Sequence, residues 1–148
     1  MADFEVAADA LRRIGDRARD AGGRAAADAM ANTFRRGVVE VELNASTHPR
    51  GTPTPAPPGS PPSRVSGDLL RSMKITPAVP TGPTTWTAKV YPTIIYARIQ
   101  ELGGLAGRHH RSKLPPRPYM RPARARMEAD GSLHDAASGA FGRAVHDG

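Results

Sequence analysis

The chain contains no cysteine, and this absence excludes several classes of site. Without cysteine there can be no disulfide framework, no thiolate zinc site and no cysteine nucleophile, so the sequence is compatible with a reducing compartment. Long apolar runs are also missing, because no stretch approaches the roughly 18 apolar residues of a membrane helix, and the first residues do not resemble a signal peptide. We therefore expect a protein without a membrane span that stays in the cell that makes it.

Aromatic residues are scarce at 5%, whereas Gly and Pro are abundant, with 15 of each in 148 residues. A chain of this length usually forms one domain and buries about 70% of the surface that its unfolded form exposes. Much of the apolar content is Ala. The composition predicts a single domain over residues 1–148 with a modest core and long irregular connections.

The first part of the chain carries helical periodicity. Apolar residues recur at intervals of three and four from residue 3 to residue 36, which predicts a long helix whose apolar stripe packs against a sheet. The stripe consists of Phe4, Ala7, Leu11, Ile14, Ala18, Ala21 and Ala25. Gly22 and Gly23 interrupt it, and since each Gly costs about 1 kcal/mol relative to Ala inside a helix, we expect a kink or a break there. Apolar and charged residues alternate over residues 39–43, which predicts a first strand.

Residues 46–63 contain seven Pro together with Ser, Thr and Gly. This composition favours extended polyproline geometry, so we expect an exposed arm or a long loop. Such a segment can serve as a linker, as an arm laid over a neighbouring subunit, or as a Pro-rich recognition peptide. We also expect it to be mobile in the free protein.

A short helix and a β-hairpin are predicted next. Ser66-Gly67-Asp68 can cap a short helix over residues 69–73. Two alternating segments, residues 73–79 and 85–91, are separated by a turn and predict the hairpin. Pro77 and Pro80 lack a ladder donor, so the first of these strands should be an edge or should end early.

The last third predicts two helices and a loop. Ile95, Ile99 and Leu102 follow the spacing of a short amphipathic helix that Gly103-Gly104 ends. Residues 105–118 predict an extended basic loop, and an Ala-rich helix runs from Pro122 towards the end of the chain. Together the elements predict an α+β fold in which a long N-terminal helix and a C-terminal helix pack on a small antiparallel sheet.

The polar residues do not show the spacing of a catalytic or metal site. His109 and His110 are adjacent, so their side chains would point apart on a helix or strand, and no acid lies at ligand spacing nearby. The Gly-rich residues 103–107 resemble a phosphate-binding loop only superficially, because such loops follow a strand and open a helix. We expect neither enzymatic activity nor a cofactor or metal ion.

The strongest charge signal is a basic segment, residues 108–126, in which no acid occurs. It contains seven cationic residues, Arg108, Arg111, Lys113, Arg117, Arg121, Arg124 and Arg126, which equal the formal net charge of +7 of the whole chain. The segment has one aromatic residue, Tyr119, and no recognition-helix pattern, so base stacking and groove reading are not indicated. Its Pro content favours a rigid contact element whose guanidinium groups meet acceptors of a neighbouring subunit, and a merely solvated basic loop is the alternative.

Three segments follow one another in the chain: Val65-Ser66-Gly67-Asp68-Leu69-Leu70-Arg71-Ser72, Tyr96-Ala97-Arg98-Ile99-Gln100-Glu101-Leu102-Gly103 and Arg117-Pro118-Tyr119-Met120-Arg121-Pro122-Ala123. In this order they resemble the neck and tail-completion protein family of long-tailed bacteriophages, the gene-product-ten-like family of lambdoid phages. The similarity covers about residues 60–127. The Pro-rich segment and the long basic loop depart from the family pattern.

The resemblance implies a small α+β structural subunit of the virion, made in the host cytoplasm, that forms a ring at the joint between head and tail. The ring would be hexameric, and its partners would be copies of itself, a head connector or head-closure protein, and a tail terminator or tail tube protein. DNA would pass through without specific binding. The expected contact residues are Arg98, Glu101, Arg117, Pro118, Tyr119, Met120 and Arg121.

Two alternatives remain open from the sequence. Within the structural class, a tail-terminator or head-closure ring would have the same general properties. From another class, a small basic nucleic-acid-binding protein could use the basic segment, and its affinity would fall steeply with salt.

Overall fold

The computed structural model describes residues 2–49 and 56–147 and confirms the α+β class. The helices are α1 (Ala2–Gly37), α2 (Asp68–Arg71), α3 (Ala97–Leu102), α4 (Met120–Ala129) and α5 (Ser132–His146). The strands are β1 (Met73–Gly82), β2 (Thr85–Pro92), β3 (Gly104–Ala106) and β4 (Ser112–Leu114), and they form two separate two-stranded antiparallel sheets, β1–β2 and β3–β4.

The long helix α1 is continuous through Gly22 and Gly23, so the expected break is wrong. The reason is tertiary packing. A Cβ atom on Gly22 would lie 2.6 Å from the ring of Phe141 in α5, and one on Gly23 would lie 2.6 Å from the indole of Trp86 in β2. The two glycines therefore admit aromatic rings close to the helix backbone, and this contact offsets their low helix propensity.

Only part of the apolar stripe of α1 is buried against other elements of the chain. The helix packs against α5 and the β1–β2 hairpin, and Ile14, Ala18 and Ala21 line a cavity with Ala144 and Val145 of α5. Leu11 is nevertheless 70% exposed and Ile14 is 62% exposed. The expectation that the stripe packs against a sheet is therefore wrong for its first half. The side chain of Phe4 lies outside the described residues.

The predicted first strand, residues 39–43, is wrong. The chain continues from α1 into a π-helical turn, Val38–Glu42, in which Leu43 donates its N–H to the carbonyl of Val38 at 2.9 Å. This turn buries Val38 and Leu43 in the core and places the Glu42 carboxylate 3.6 Å from Nε of Arg126 in α4. Five alternating residues are too few to distinguish a strand from a helical turn that is fixed by contacts with a distant helix.

The β1–β2 hairpin forms as predicted, and each of its strands has a single neighbour, so β1 is an edge strand. Pairing shifts between Thr76 and Val79, where Pro77 interrupts the ladder. Ala78 lies in this irregular stretch and donates its N–H to the carboxylate of Asp28 in α1 at 2.7 Å. Arg35 of α1 also donates to the carbonyl of Met73 at 2.9 Å, so two α1 side chains hold the hairpin against the helix.

The C-terminal part departs from the sequence expectation in two ways. The basic loop 105–118 is not simply extended, because its first part pairs as the β3–β4 hairpin. The expected single last helix is divided into α4 and α5 at Gly131, whose φ of 75° lies in the left-handed region. That conformation ends one helix and turns the chain into the next.

The Pro-rich segment is held to the rest of the chain on both sides of residues 50–55, which lie outside the described residues. Backbone hydrogen bonds join Arg64 to the other end of the segment, since His48 donates to the carbonyl of Arg64 at 2.9 Å and Arg64 donates to the carbonyl of Ser46 at 2.8 Å. Ala56 is buried, and Gly59 donates to the carbonyl of Pro116 at 2.9 Å. The described part of the segment is therefore packed on its own chain and is not a free arm.

Candidate partner interface

The three segments that carry the family resemblance lie together in the core. Leu69, Ala97, Tyr119 and Ala123, which come from all three segments, belong to one buried apolar cluster with Val38 and Met73. The segments are therefore adjacent in space although up to about fifty residues separate them in the sequence. They form one framework, which we call the motif framework.

Glu101 of α3 ties the framework together. Its Oε2 atom accepts hydrogen bonds from the backbone N–H groups of Tyr119 at 2.7 Å and Met120 at 3.0 Å, and its Oε1 atom accepts one from Arg121 at 3.0 Å. These N–H groups belong to the start of α4, where no partner exists within the helix, and Tyr119 makes no side-chain cap of its own. A carboxylate from another helix thus caps α4 and also opposes the positive end of its dipole.

Tyr119 is a core residue. It is 1% exposed, and its hydroxyl donates to the carbonyl of Ala97 at 3.4 Å. Burial, and secondly the nearby Glu101 carboxylate, raises the pKa of the phenol well above its usual value, because both disfavour the phenolate. The side chain therefore fixes the position of α3 relative to α4 and cannot touch a partner while the chain keeps this fold.

Arg117 is also buried and forms hydrogen bonds within its own chain. It is 8% exposed, its Nε donates to the carbonyl of Ala56 at 2.7 Å, and its backbone N–H donates to the carbonyl of Gln100 at 2.6 Å. A charge-assisted hydrogen bond of this kind holds the end of the Pro-rich segment against the motif framework. Arg117→Ala would therefore disturb the fold as well as any contact surface.

An apolar groove opens on the surface of the motif framework. Its lining residues are Pro92, Ile94, Ile95, Ala97, Arg98, Glu101, Leu102, Tyr119 and Met120. Ile95 is 97% exposed, and Leu102 and Arg98 are also exposed. The predicted short helix forms as α3 and ends at Gly103, but it begins only at Ala97 and turns Ala97 to the core, so Ile95 lies outside it and Leu102 is exposed.

Of the seven expected contact residues, Arg98, Glu101 and Met120 line the groove with side chains that are at least partly exposed, and Arg121 is exposed at the adjoining start of α4. Tyr119 also borders the groove but is buried beneath its surface. Pro118 is half-buried between Arg117 and Tyr119. The exposed apolar residues Ile95 and Leu102 were missed as contact residues, since their helical spacing resembles that of core positions.

The cations of the basic segment fall into two groups. Arg117, Arg124 and Arg126 have acceptors inside the chain, at Ala56, Glu128 and Glu42 respectively. Arg108, Arg111, Lys113 and Arg121 are exposed and form no ion pair with any of the described residues. Three of these four lie on the β3–β4 hairpin.

The described residues contain no group of three or more His, Asp or Glu placed to hold a metal ion. Gly103 has a packing role, because a Cβ atom there would lie 2.9 Å from the carbonyl oxygen of Leu114. Within residues 2–49 and 56–147 no helix combines the length and the apolar character needed to cross a bilayer.

Comparison of the chain with protein-family models, with curated proteins and with solved structures gave no match.

Proposed function

We propose that the protein is a structural subunit that assembles into a ring at the head-to-tail joint of a tailed bacteriophage. The proposal is supported by the resemblance of three short segments to the neck and tail-completion family. The observation that carries it is that these segments, distant in sequence, pack into the single motif framework. Its partners would be copies of the chain and the neighbouring head and tail proteins of the virion.

Ring formation requires two different surfaces on each subunit, since a head-to-tail contact joins unlike surfaces and closes only by rotation. Two of the exposed apolar surfaces among the described residues are assigned to this contact. One is the groove with Ile95 and Leu102, and the other is the first half of α1 with Leu11 and Ile14. Apolar anchors beside Arg98 and Arg121 have the composition of a protein interface core with an Arg-containing rim. We assign the contact to α1 of one copy seated in the groove of the next.

The test is the mass of the purified protein by light scattering at low and high salt. The wild type should form a discrete oligomer that persists at high salt, because apolar contacts are not screened. Ile95→Asp and Leu11→Asp should each give a folded monomer. The matched control is Val79→Asp, since Val79 is also half exposed but lies on β1 away from both surfaces, and it should leave the oligomer intact.

Mixing the two monomeric variants gives the sharpest result. Ile95→Asp retains an intact α1 and Leu11→Asp retains an intact groove, so an equimolar mixture should form a heterodimer through the one remaining good interface. A mixture that stays monomeric would contradict the pairing of these surfaces. A wild-type protein that is monomeric both alone and with purified heads or tails would contradict the ring itself.

Tail-terminator and head-closure rings are the alternatives within the same class. Incubation of the oligomer with purified DNA-filled heads and with purified tails separates them. A neck subunit should bind both, a head-closure subunit should bind heads, and a terminator should bind tails.

A further inference from the structure

The β3–β4 hairpin is a small, exposed and strongly basic projection. Its strands pair over Gly104–Ala106 and Ser112–Leu114, and a short 3₁₀ turn, Arg108–His110, joins them. His109 and His110 have φ values of 60° and 52°, in the left-handed region that residues other than Gly seldom adopt. Strained backbone of this kind is concentrated at functional sites, where the surrounding structure maintains it.

The sequence around this hairpin contains no acidic residue that could pair with its cations. Between Glu101 and Glu128 the sequence has no acidic residue, and both of these carboxylates are already engaged on α4. Arg108, Arg111 and Lys113 are therefore left without ion pairs among the described residues, whereas Arg124 and Arg126 of the same segment pair with Glu128 and Glu42 and Arg117 donates to the carbonyl of Ala56. The three free charges all lie within six consecutive residues.

The composition of the hairpin indicates what it contacts. All residues from Gly107 to Lys113 are exposed, and none of them has an aliphatic side chain or is Phe, Tyr or Trp. Protein interfaces are built around apolar or aromatic anchors and are depleted in Lys, so this tip is a poor protein-binding element. Phosphate groups require only cations and hydrogen-bond donors, which Arg, His, Ser and Lys supply.

We propose that the tip of the β3–β4 hairpin binds the phosphate backbone of double-stranded DNA without reading its sequence. The tip has no Phe, Tyr or Trp to serve as a base-stacking platform, and a three-residue 3₁₀ turn is too short to act as a recognition helix in the major groove. The contact therefore fixes distance and orientation and supplies no base specificity. A ring could form without this contact, and a monomer could still make it.

The test is the affinity of the full chain for a fluorescent DNA duplex, measured by anisotropy between about 50 and 200 mM salt. For each subunit in contact with the duplex, three phosphate contacts add about −2.7 to the slope of log K against log salt, so a single bound subunit loses about 40-fold in affinity over this range. Replacing Arg108 and Arg111 by Ala should reduce the slope by about 1.8 and weaken binding at 50 mM salt. A duplex of different sequence should bind equally well.

The matched control removes the same charge elsewhere. Lys74 and Lys89 are exposed on the β1–β2 hairpin, so Lys74→Ala with Lys89→Ala lowers the formal net charge from +7 to +5, as the hairpin variant does. The control should retain the wild-type slope. Equal losses in both variants would show attraction by net charge alone and overturn the proposal.

Two further outcomes also overturn the proposal. One is a wild type that does not bind duplex at 50 mM salt, and the other is a hairpin that binds an acidic peptide such as polyglutamate in preference to DNA. Light scattering of the hairpin variant keeps the result independent of ring formation. A hairpin variant that keeps its oligomeric state and has lost DNA affinity supports the hairpin contact, whereas a hairpin variant with unchanged DNA affinity overturns the contact whatever its oligomeric state.

Discussion

Glu101 should contribute more to stability than any other half-buried acid in the chain, because it accepts three backbone hydrogen bonds at the start of α4. Losing an N-terminal cap costs about 1 kcal/mol, and hydrogen bonds to a charged group contribute about 1.5–3 kcal/mol each when well buried. Since Glu101 is only partly buried, we assign about 1 kcal/mol to each bond. Glu101→Ala should therefore lower the free energy of unfolding by about 3 kcal/mol.

Glu101→Gln tests the contribution of the negative charge, because glutamine has nearly the same shape as glutamate and is neutral. Its single amide oxygen can replace Oε2, which accepts from Tyr119 and Met120, but its NH₂ group would then face the N–H of Arg121. We expect a loss of about half that of Glu101→Ala, or about 1.5 kcal/mol.

Urea unfolding followed by circular dichroism gives these free energies, and thermal unfolding gives an independent estimate. A loss of 3 kcal/mol corresponds to a fall in Tm of about 9 °C for a chain of this size. Glu128→Ala is the control, since Glu128 is an exposed acid of α4 that pairs only with Arg124, and it should leave unfolding nearly unchanged. If Glu101→Ala unfolds within about 0.5 kcal/mol of the wild type, the cap does not stabilise α4 and the reasoning is refuted.

Two more predictions concern packing and pH. Gly22→Ala should destabilise the fold by about 1–3 kcal/mol despite the better helix propensity of Ala, because the new methyl group would overlap with the ring of Phe141. Gly15→Ala has open space around the new methyl group and should stabilise the fold by up to about 1 kcal/mol. Thermal unfolding of both variants tests this difference, and equal stabilisation by the two substitutions would contradict the packing of Phe141 on Gly22. Because the folded chain raises the pKa of Tyr119, the unfolded chain releases this proton near pH 10.0 while the folded chain retains it, so stability should be complete below that pH and fall as the pH rises above it. Tyr119→Phe should flatten the dependence in alkaline urea titrations, and an unchanged slope would count against a buried phenol.

Local periodicity was sufficient to predict the long first helix, the β1–β2 hairpin and the α+β class. It failed where distant contacts decide the conformation. The alternation at residues 39–43 suits a strand, but Val38 and Leu43 reach the core only through a helical turn. Likewise, the low helix propensity of Gly22 is evident from the local sequence, whereas the packing contact that offsets it is made by Phe141, far away in the sequence.

The candidate interface was predicted in part, because charge and motif spacing locate surface segments but do not show which side chains turn inwards. Arg117 looked like a free cation until its acceptor was known, and that acceptor is the carbonyl of Ala56, 61 residues earlier in the sequence. Ile95 looked like a core residue because its outward direction depends on α3 beginning two residues later. A helix boundary is the feature that sequence patterns locate least well.

The adjacent glycines of α1 also determine how many ways the chain can pack. A plain Ala-rich helix could slide by one turn, about 5.4 Å, against its neighbours and bury nearly the same area. Here such a slip would place Ala18 and Arg19, or Ala26 and Ala27, beneath the rings of Phe141 and Trp86, and each of these residues carries a Cβ atom. Only Gly22 and Gly23 leave room for the two rings in this part of the helix, so a helix shifted by one turn would overlap sterically with them. The two glycines therefore favour one alignment of α1 over the neighbouring alignments.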